Sequence, residues 1–346
     1  MTANNLKPRI ETIPQVPEHV AKLIQDSVVI DILLPWLPDF NGDQFDNLLP
    51  RWRRAGISCI SLTVSAGGDD SSAPVMDWIA KVRSKIAHSG QTELIAGVDD
   101  IRKCFRQKRL GLSFNFQDTL PIGRALHLVQ YYYDLGVRQV GLAYNIRNYV
   151  GDGCAEESNA GLSRFGRELV KELNRVGIVV DGTHAGYRTT MEAMEICTKP
   201  FIFSHSNPFV IRPHYRSIRD DQMKKCAATG GLVGINGVGF WTGDMDASTE
   251  SIFRCLDYAV QLIGEDHVAV GFDYVWDIEK LFGWADHSDL LWPPYEGERM
   301  VVHNYAGPEQ IVALVATMDE HGYDARAIKK ILGENYLRVA AANWGT

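Results

Sequence analysis

The chain has 346 residues, of which 45% are hydrophobic and 23% charged, and its net charge at pH 7 is −8. This composition is typical of a globular protein with a large core, and the length suits one decorated α/β barrel. The acidic charge and the lack of Lys/Arg runs argue against binding to nucleic-acid phosphates, and no apolar run reaches the roughly 20 residues that a membrane-spanning helix needs.

The N-terminal stretch MTANNLKPRIETIPQVPEHV is polar and punctuated by proline. It is typical of neither a signal peptide nor a membrane anchor, and we predict that residues 1–26 form an extension before the first strand. The six cysteines are scattered singly without a CxxC pair, which favours reduced thiols. Together these features predict a cytoplasmic protein without a membrane partner.

Short apolar runs recur along the chain, each followed by a polar ending and a helical pattern. In order they are SVVIDILLP, GISCISLTV, LGLSFNFQ, VRQVGLAYN, VGIVVDGTH, PFIFSHSN, GGLVGINGV and DHVAVGFDY. Nearly continuous hydrophobicity is expected of strands that are buried on both faces of a parallel sheet. A ninth run, TELIAGV, is short and could lie outside the sheet.

Eight buried strands that alternate with helices indicate either a closed barrel or a doubly wound sheet. No GxGxxG motif follows an early strand, which disfavours a dinucleotide-binding sheet. We therefore predict that residues 1–346 form a single (β/α)₈ barrel domain. The aromatic-rich residues 274–308 lack a strand or helix period, and we predict a lid or an oligomer contact there.

The active sites of such barrels lie at the carboxyl ends of the strands. The predicted strands end in polar groups: Asp31, Thr63, Ser65, Gln117, Tyr144, Asn145, His184, His205, Asn207, Asn236 and Asp273. His184 and His205 end successive strands, so both imidazoles can reach one metal ion. The alternative is a pair of polar core histidines that are bonded to backbone carbonyls.

Further candidates lie on the loops and on the last strand. Asp273 is interpreted as a metal ligand, a general base or an anchor for an ammonium group, and alternatively as a helix N-cap. Arg216, near His214, can hold a carboxylate or an oxyanion, or form a surface salt bridge. Asp152 and Cys154 lie on a glycine-rich loop that could close over the site, although loop architecture explains them equally well.

The longest informative stretch is YDLGVRQVGLAYNIRNYVGDGCAEESNAGLSRFGRELVKELNRVGIVVDGTHAG. With KPFIFSHSNP, HYRS, GGLVGING, EDHVAVGFD and KKILGENYLRV, it resembles the membrane (renal) dipeptidase family of metal-dependent, amidohydrolase-like barrels. The resemblance implies zinc-dependent dipeptide hydrolysis. It places His184 and His205 on two metal ligands, Arg216 on the substrate-binding arginine and Asp273 on a proton-transfer or amine-binding aspartate.

The sequence departs from that family at the other metal ligands. Where the family has D-G-H-x-D, the chain has Asp31 followed by ILLP, so Leu33 and Pro35 replace two ligands. Gln117 replaces the bridging glutamate, and its neighbour Asp118 could substitute only through a local bulge. Tyr144 replaces a histidine that binds the substrate. The resemblance therefore implies one zinc ion or none, with Gln117 as a weak third ligand.

Three hypotheses follow from these residues. The first is a dipeptidase-like hydrolase that uses at most one zinc ion and an activated water molecule. In it Asp273 manages the proton, and Arg216, Tyr144 and Asn236 bind the substrate. The second is a metal-independent lyase, isomerase or cyclase in which Asp31, Tyr144 and Asp273 act with the histidines as acids and bases. The third is a binding protein without turnover. A homodimer is expected only by analogy with the family.

Overall fold

Strands and helices alternate along the chain in the computed structural model, which describes residues 9–38, 41–67, 71–278, 280–281, 289–301 and 303–344. The strands are β1 (Ile30–Pro35), β2 (Cys59–Ser65), β3 (Thr92–Leu94), β4 (Leu110–Phe116), β5 (Val137–Gly141), β6 (Val179–Asp181), β7 (Ile202–Phe203), β8 (Leu232–Asn236) and β9 (Val268–Gly271).

The helices of the described residues lie between and after these strands. They are α1 (Glu18–Gln25), α2 (Phe45–Arg54), α3 (Ser72–His88), α4 (Val98–Gln107), α5 (Leu128–Asp134), α6 (Arg164–Val176), α7 (Tyr187–Ile196), α8 (Asp220–Ala228), α9 (Gly239–Thr242), α10 (Thr249–Ile263), α11 (Gln310–Glu320), α12 (Ala325–Lys329) and α13 (Asn335–Asn343). A π-helical turn, Lys330–Glu334, joins α12 to α13. Among the described residues, no helix combines the length and the apolar character needed to cross a bilayer.

All strand pairs are parallel, in the order β1-β2-β4-β5-β6-β7-β8-β9, and β3 pairs with β4 beside this path. The eight long apolar runs of the sequence are the eight strands of the path, which confirms the predicted (β/α)₈ barrel. The ninth run contributes β3, so it joins the sheet rather than lying outside it.

The barrel closes between β9 and β1 through the side chain of Asp31 and the main chain of Leu33. The carboxylate of Asp31 accepts hydrogen bonds from the backbone N–H of Phe272 (3.2 Å) and from Nε1 of Trp52 (3.0 Å), and the carbonyl of Leu33 accepts one from the N–H of Asp273 (3.2 Å). The prediction that β1 ends at Asp31 is wrong, because the buried run IDILLP continues the strand to Pro35.

Two glycines let the chain after β7 approach the next two strands. A Cβ atom on Gly234 or Gly271 would lie 2.0 Å or 2.1 Å from the carbonyl oxygen of Ser204, far inside van der Waals contact. Only glycine therefore permits this approach. It sets the position of Ser204, which directly precedes His205.

Capping chemistry sets the ends of several helices. The hydroxyls of Ser163 and Ser248 accept hydrogen bonds from backbone N–H groups in the first turns of α6 and α10, and Gly177 ends α6 with a φ of 102°. The predicted N-terminal extension contains α1, whose Val20 and Ile24 are buried. That segment is thus partly integrated into the core.

Candidate active site

Two histidine rings meet at the carboxyl ends of the neighbouring strands β6 and β7. The Nε2 atoms of His184 and His205 lie 3.1 Å apart, and both side chains are buried. His184 lies three residues after the end of β6 at Asp181, and His205 lies two residues after the end of β7 at Phe203. Both side chains therefore lie at the same level of the barrel. The structure therefore brings together the two histidines that the sequence pairs.

The other nitrogen of each ring shows which protonation form the ring has. Nδ1 of His184 lies 2.7 Å from the amide oxygen of Asn145, which can only accept a hydrogen bond. Nδ1 of His184 therefore carries the hydrogen, and a neutral ring then has its lone pair on Nε2.

His205 reaches the same state through two further residues. The carboxylate of Asp181 accepts hydrogen bonds from Nε2 of Gln139 (3.0 Å), from two backbone N–H groups and from the hydroxyl of Ser204. Because the single hydroxyl hydrogen of Ser204 points to Asp181, its oxygen accepts from Nδ1 of His205 at 2.7 Å. His205 also presents a lone pair on Nε2.

This donor arrangement fits one half of a metal site. In a tetrahedral zinc site, two imidazole nitrogens bound to the same ion lie about 3.3 Å apart. Histidine ligands usually donate the hydrogen of their other ring nitrogen to an oxygen acceptor, as both rings do here. Among the described residues, however, no group of three or more His, Cys, Asp or Glu side chains is placed to hold a metal ion. The residues fit the two imidazoles of a mononuclear site and do not fit a two-zinc site.

Burial and a neighbouring cation keep both imidazoles neutral. Burial is the main reason that the pKa of His184 and of His205 lies well below the usual value, and the charge of Arg216 lowers both further. Neutral imidazole is the form that binds metal ions and that accepts protons.

Arg216 lies against the histidine pair as a buried cation. Its Nη2 donates to the carbonyl oxygen of His205 (2.9 Å) and lies 3.3 Å from Nε2 of His184, and its Nη1 donates to the hydroxyl of Ser206 (3.3 Å). Its buried Nε–H has no hydrogen-bond partner among the described residues. A buried guanidinium with an open donor is suited to an anionic group of a ligand.

Asp273 follows β9 and faces the same region. Nδ2 of Asn236 donates to its carboxylate at 3.2 Å. Burial raises the pKa of Asp273 to about 7, although Arg216 and the Asn236 hydrogen bond both lower it. A carboxyl group with this pKa can take up or release a proton near neutral pH.

Three residues of the site have left-handed backbone conformations. The φ angles are 60° at Asn145, 68° at His184 and 58° at Asp273. This region is uncommon for residues other than glycine, although asparagine, aspartate and histidine adopt it more often than most. Such strain is concentrated at functional sites, where the surrounding contacts hold it. The N-cap interpretation of Asp273 is wrong, because no helix among the described residues begins there.

Tyr144 and Gln117 both have partners near the carboxyl ends of the strands. The ring of Tyr144 stacks on His184 with centroids 4.1 Å apart and an interplanar angle of 22°. Burial raises the pKa of its hydroxyl far above neutrality. Nε2 of Gln117 donates to the hydroxyl of Thr63 at 3.2 Å, so its observed hydrogen bond goes to β2 rather than to the histidines.

An aromatic segment of residues 289–295, which we call the roof segment, packs over His184 and Tyr144. Trp292 contacts both His184 (centroids 5.7 Å apart) and Tyr144 (5.8 Å), and Trp241 stacks on Trp292. A cavity of about 200 Å³ beside His184 is lined by Arg216, Cys154 and Tyr295 among others. The rest of the predicted lid includes residues 279, 282–288 and 302, which lie outside the described residues.

The remaining sequence candidates have structural partners. Cys154 donates to the amide oxygen of Asn145 (Sγ–Oδ1 3.3 Å), and Asp152 holds its own loop through Arg147 and Ser158. His214 accepts the N–H of Arg216 at 3.1 Å.

Sequence reasoning missed the supporting roles of Asp181 and Ser204, and named Asn145 only as a strand ending. The signal for all three was adjacency, since each lies one to three residues from Tyr144, His184 or His205.

Comparison with known proteins agrees with this parallel barrel, whose polar site lies at the carboxyl ends of the strands. The crystal structure of an amidohydrolase from Pseudomonas aeruginosa has a TM-score of 0.82 and 28% identity, covering 94% of this chain and 99% of that one. A metallopeptidase from Rhodobacter sphaeroides, liganded with a phosphinate mimic of L-Ala-D-Ala, has a TM-score of 0.73 at 20% identity, covers 91% of this chain and all of that one, and shows likeness of fold.

Sequence relatives lead to the family. An uncharacterized protein in the pqqA 5′ region of Klebsiella pneumoniae is 28% identical, covering 77% of this chain and 94% of that protein. The dipeptidase tcpJ of Claviceps purpurea is 25% identical over 73% of this chain and 55% of its own length. The membrane dipeptidase family (peptidase family M19) matches residues 49–292. The chain belongs to this family, as a divergent member without the first-strand histidine and aspartate and without the bridging glutamate.

Proposed function

We propose that the protein is a hydrolase of a dipeptide or a small amide that uses at most one zinc ion. The observation that carries the proposal is the pair of Nε2 lone pairs 3.1 Å apart beside a buried arginine with an open donor. His184 and His205 would hold the ion. When bound, zinc would supply a Lewis acid and lower the pKa of a water molecule toward 7.

The other residues have roles that follow from their contacts. Arg216 binds the substrate carboxylate or the developing oxyanion through its free Nε–H and its Nη donors. Asp273, held by Asn236, accepts and returns the proton. Tyr144 binds substrate as a hydrogen-bond donor, because its raised pKa keeps the hydroxyl protonated at neutral pH. Asp31 supports the barrel closure rather than the chemistry, since its carboxylate already accepts three hydrogen bonds.

A second candidate is a metal-independent acid–base enzyme on a small metabolite. One observation favours it: Nη2 of Arg216 lies 3.3 Å from Nε2 of His184. A fixed positive charge at the lone pair opposes the binding of a second cation there. In this candidate the histidines and Asp273 transfer protons without a Lewis acid.

Elemental analysis of protein purified without chelator, combined with hydrolysis assays on a dipeptide panel, separates these candidates. The first candidate predicts up to one zinc equivalent, loss of hydrolysis on chelation and recovery with zinc. His205→Asn should lose the ion, whereas His267→Asn, far along the chain at the start of β9, should retain it. Two zinc equivalents would contradict the one-metal proposal, and full activity of metal-free protein would favour the second candidate.

A further inference from the structure

The side chain of Asn145 connects the roof segment to the catalytic face of the barrel. Its Nδ2 donates to the carbonyl oxygen of Leu291 at 2.9 Å. Its Oδ1 accepts from Nδ1 of His184 at 2.7 Å and from Sγ of Cys154 at 3.3 Å. One amide group therefore contacts the cover of the site on one side and a site imidazole on the other.

The Leu291 carbonyl fixes which way this amide points. A carbonyl oxygen can only accept, so the NH₂ of Asn145 must face Leu291, and the amide oxygen must face His184. That oxygen requires a hydrogen on Nδ1 of His184 and leaves the Nε2 lone pair toward His205. Rotating the amide by 180° would place its oxygen against the Leu291 carbonyl oxygen and its NH₂ group against the Nδ1–H of His184.

The backbone restricts which residues can make this connection. Asn145 has a φ of 60°, a left-handed conformation that asparagine adopts more readily than most residues. Its backbone N–H donates to the carbonyl of His184 (3.2 Å), and its carbonyl accepts the N–H of Ala155 (2.8 Å). The side chain therefore starts from a fixed position, and its two polar ends can reach opposite partners.

We propose that Asn145 is a positioning residue through which docking of the roof segment sets the tautomer of His184. With the segment docked, the amide is oriented and Nε2 of His184 is available as a ligand or a base. With the segment undocked, the amide loses the partner that distinguishes its two orientations. A substrate that closes the roof segment thereby also prepares the imidazole.

Three variants separate the two contacts of Asn145. Asn145→Asp tolerates the left-handed backbone and keeps an oxygen toward His184, but it turns an oxygen toward the Leu291 carbonyl. Asn145→Gly keeps the backbone and loses both contacts. Tyr215→Phe removes another anchor of the roof segment, the hydroxyl bond to the Pro293 carbonyl (2.9 Å), and leaves Asn145 intact.

Two measurements on the full chain are independent of turnover. Amide hydrogen exchange of the roof segment, residues 289–295, should accelerate at least tenfold in all three variants. The ¹⁵N shifts of the His184 ring, assigned with a His184→Gln variant, should report the Nδ1–H tautomer in wild type and in Asn145→Asp, whose side chain presents an oxygen to Nδ1 whether or not the roof segment is docked. They should report a tautomer mixture in Asn145→Gly and a smaller shift toward that mixture in Tyr215→Phe, where the roof segment docks less firmly. Unchanged exchange in Asn145→Asp, or an unchanged tautomer in Asn145→Gly, would overturn the proposal. So would a Tyr215→Phe protein in which the exchange accelerates while the His184 tautomer stays as in wild type.

The kinetic consequence rests on the proposed hydrolase function. Asn145→Asp should raise KM more than it lowers kcat, and Asn145→Gly should lower kcat by about 10- to 100-fold, the usual effect of removing such a support. If no dipeptide is hydrolysed, the exchange and ¹⁵N results still decide the proposal. The two failures are therefore distinguishable.

Discussion

Nε2 of His184 and Nε2 of His205 face each other at 3.1 Å, and both Nδ1 atoms are hydrogen-bonded to oxygens. The resemblance places the other metal ion of the family at the end of β1, and no group of three or more His, Cys, Asp or Glu side chains lies there among the described residues. Leu33 and Pro35 stand there, and their carbonyls accept hydrogen bonds from Asp273 and Asn41. The end of β1 is thus a structural junction, whereas the ends of β6 and β7 carry the pair of imidazole nitrogens.

Removing the hydroxyl that supports His205 should weaken the site without removing a ligand. We expect Ser204→Ala to lower zinc affinity or kcat/KM by about 10- to 100-fold, because Nδ1 of His205 loses its acceptor and the ring can rotate. Competition with a chromophoric chelator measures the affinity. Ser163→Ala, which removes only the α6 cap, is the control and should leave the affinity unchanged. Equal zinc affinities of Ser204→Ala and wild type would show that the Ser204 hydroxyl does not support His205 as a ligand.

The guanidinium of Arg216 should matter by its shape as well as by its charge. Arg216→Lys keeps the charge but not the planar donors, so we expect kcat/KM for dipeptides to fall about 100-fold, or about 2.7 kcal/mol. Arg219→Lys, an exposed arginine at the same cavity, should change kcat/KM less than threefold. Steady-state kinetics of both variants test this. A fully active Arg216→Lys protein would exclude bidentate binding.

The pH dependence of hydrolysis should follow Asp273. Its pKa of about 7 predicts that kcat/KM rises through neutral pH as the carboxylate forms. Asn236→Ala removes a hydrogen bond that lowers this pKa, so the rising limb should move to higher pH. Asp273→Asn should lower kcat by a factor of about 10² to 10⁴. If the rising limb of the kcat/KM profile has the same midpoint in Asn236→Ala as in wild type, the titrating group is not Asp273.

The same carboxyl group should affect stability with a defined sign. The pKa of Asp273 is raised from an unfolded value near 3.8 to about 7 in the folded protein, so its stabilising contribution is complete below about pH 4 and is lost as pH rises through 7. Asp273→Asn should therefore gain stability over wild type between pH 4 and pH 8 by a few kcal/mol, at about 1.4 per pKa unit. Urea unfolding at both pH values measures it, and a pH-independent difference would contradict the burial effect.

A buried ion pair should stabilise the loop after β9. Arg51 makes a bidentate contact with Glu309 (2.9 Å for both bonds) and donates to the hydroxyl of Tyr274 (2.8 Å). Glu309→Gln leaves a buried guanidinium without its counter-charge, and we expect a loss of about 3–5 kcal/mol in the free energy of unfolding. Glu172→Gln breaks the more exposed bidentate pair with Arg175 and should cost less than about 1 kcal/mol. Equal losses would contradict the burial argument.

Hydrophobic runs were sufficient to predict the barrel, because parallel strands buried on both faces leave a continuous apolar signal in the chain. The same reasoning located the histidines. Residues that end neighbouring parallel strands must lie at one edge, and His184 and His205 do. Asp31 was misplaced because the apolar run around it extends beyond the aspartate, and periodicity does not show where a strand ends.

What the sequence by itself determined is the architecture, the family and the residues of the histidine pair, since these depend on local hydrophobicity, spacing and motif order. Only the tertiary structure decided how these residues are held: the hydrogen on each Nδ1, the contact of Arg216 with His184, and the cover of Trp292. Apart from the bond between the adjacent Ser204 and His205, those features depend on hydrogen bonds and ring contacts between residues tens to more than a hundred positions apart. Neither the spacing nor the periodicity of residues along the chain predicts which distant residues will make such contacts.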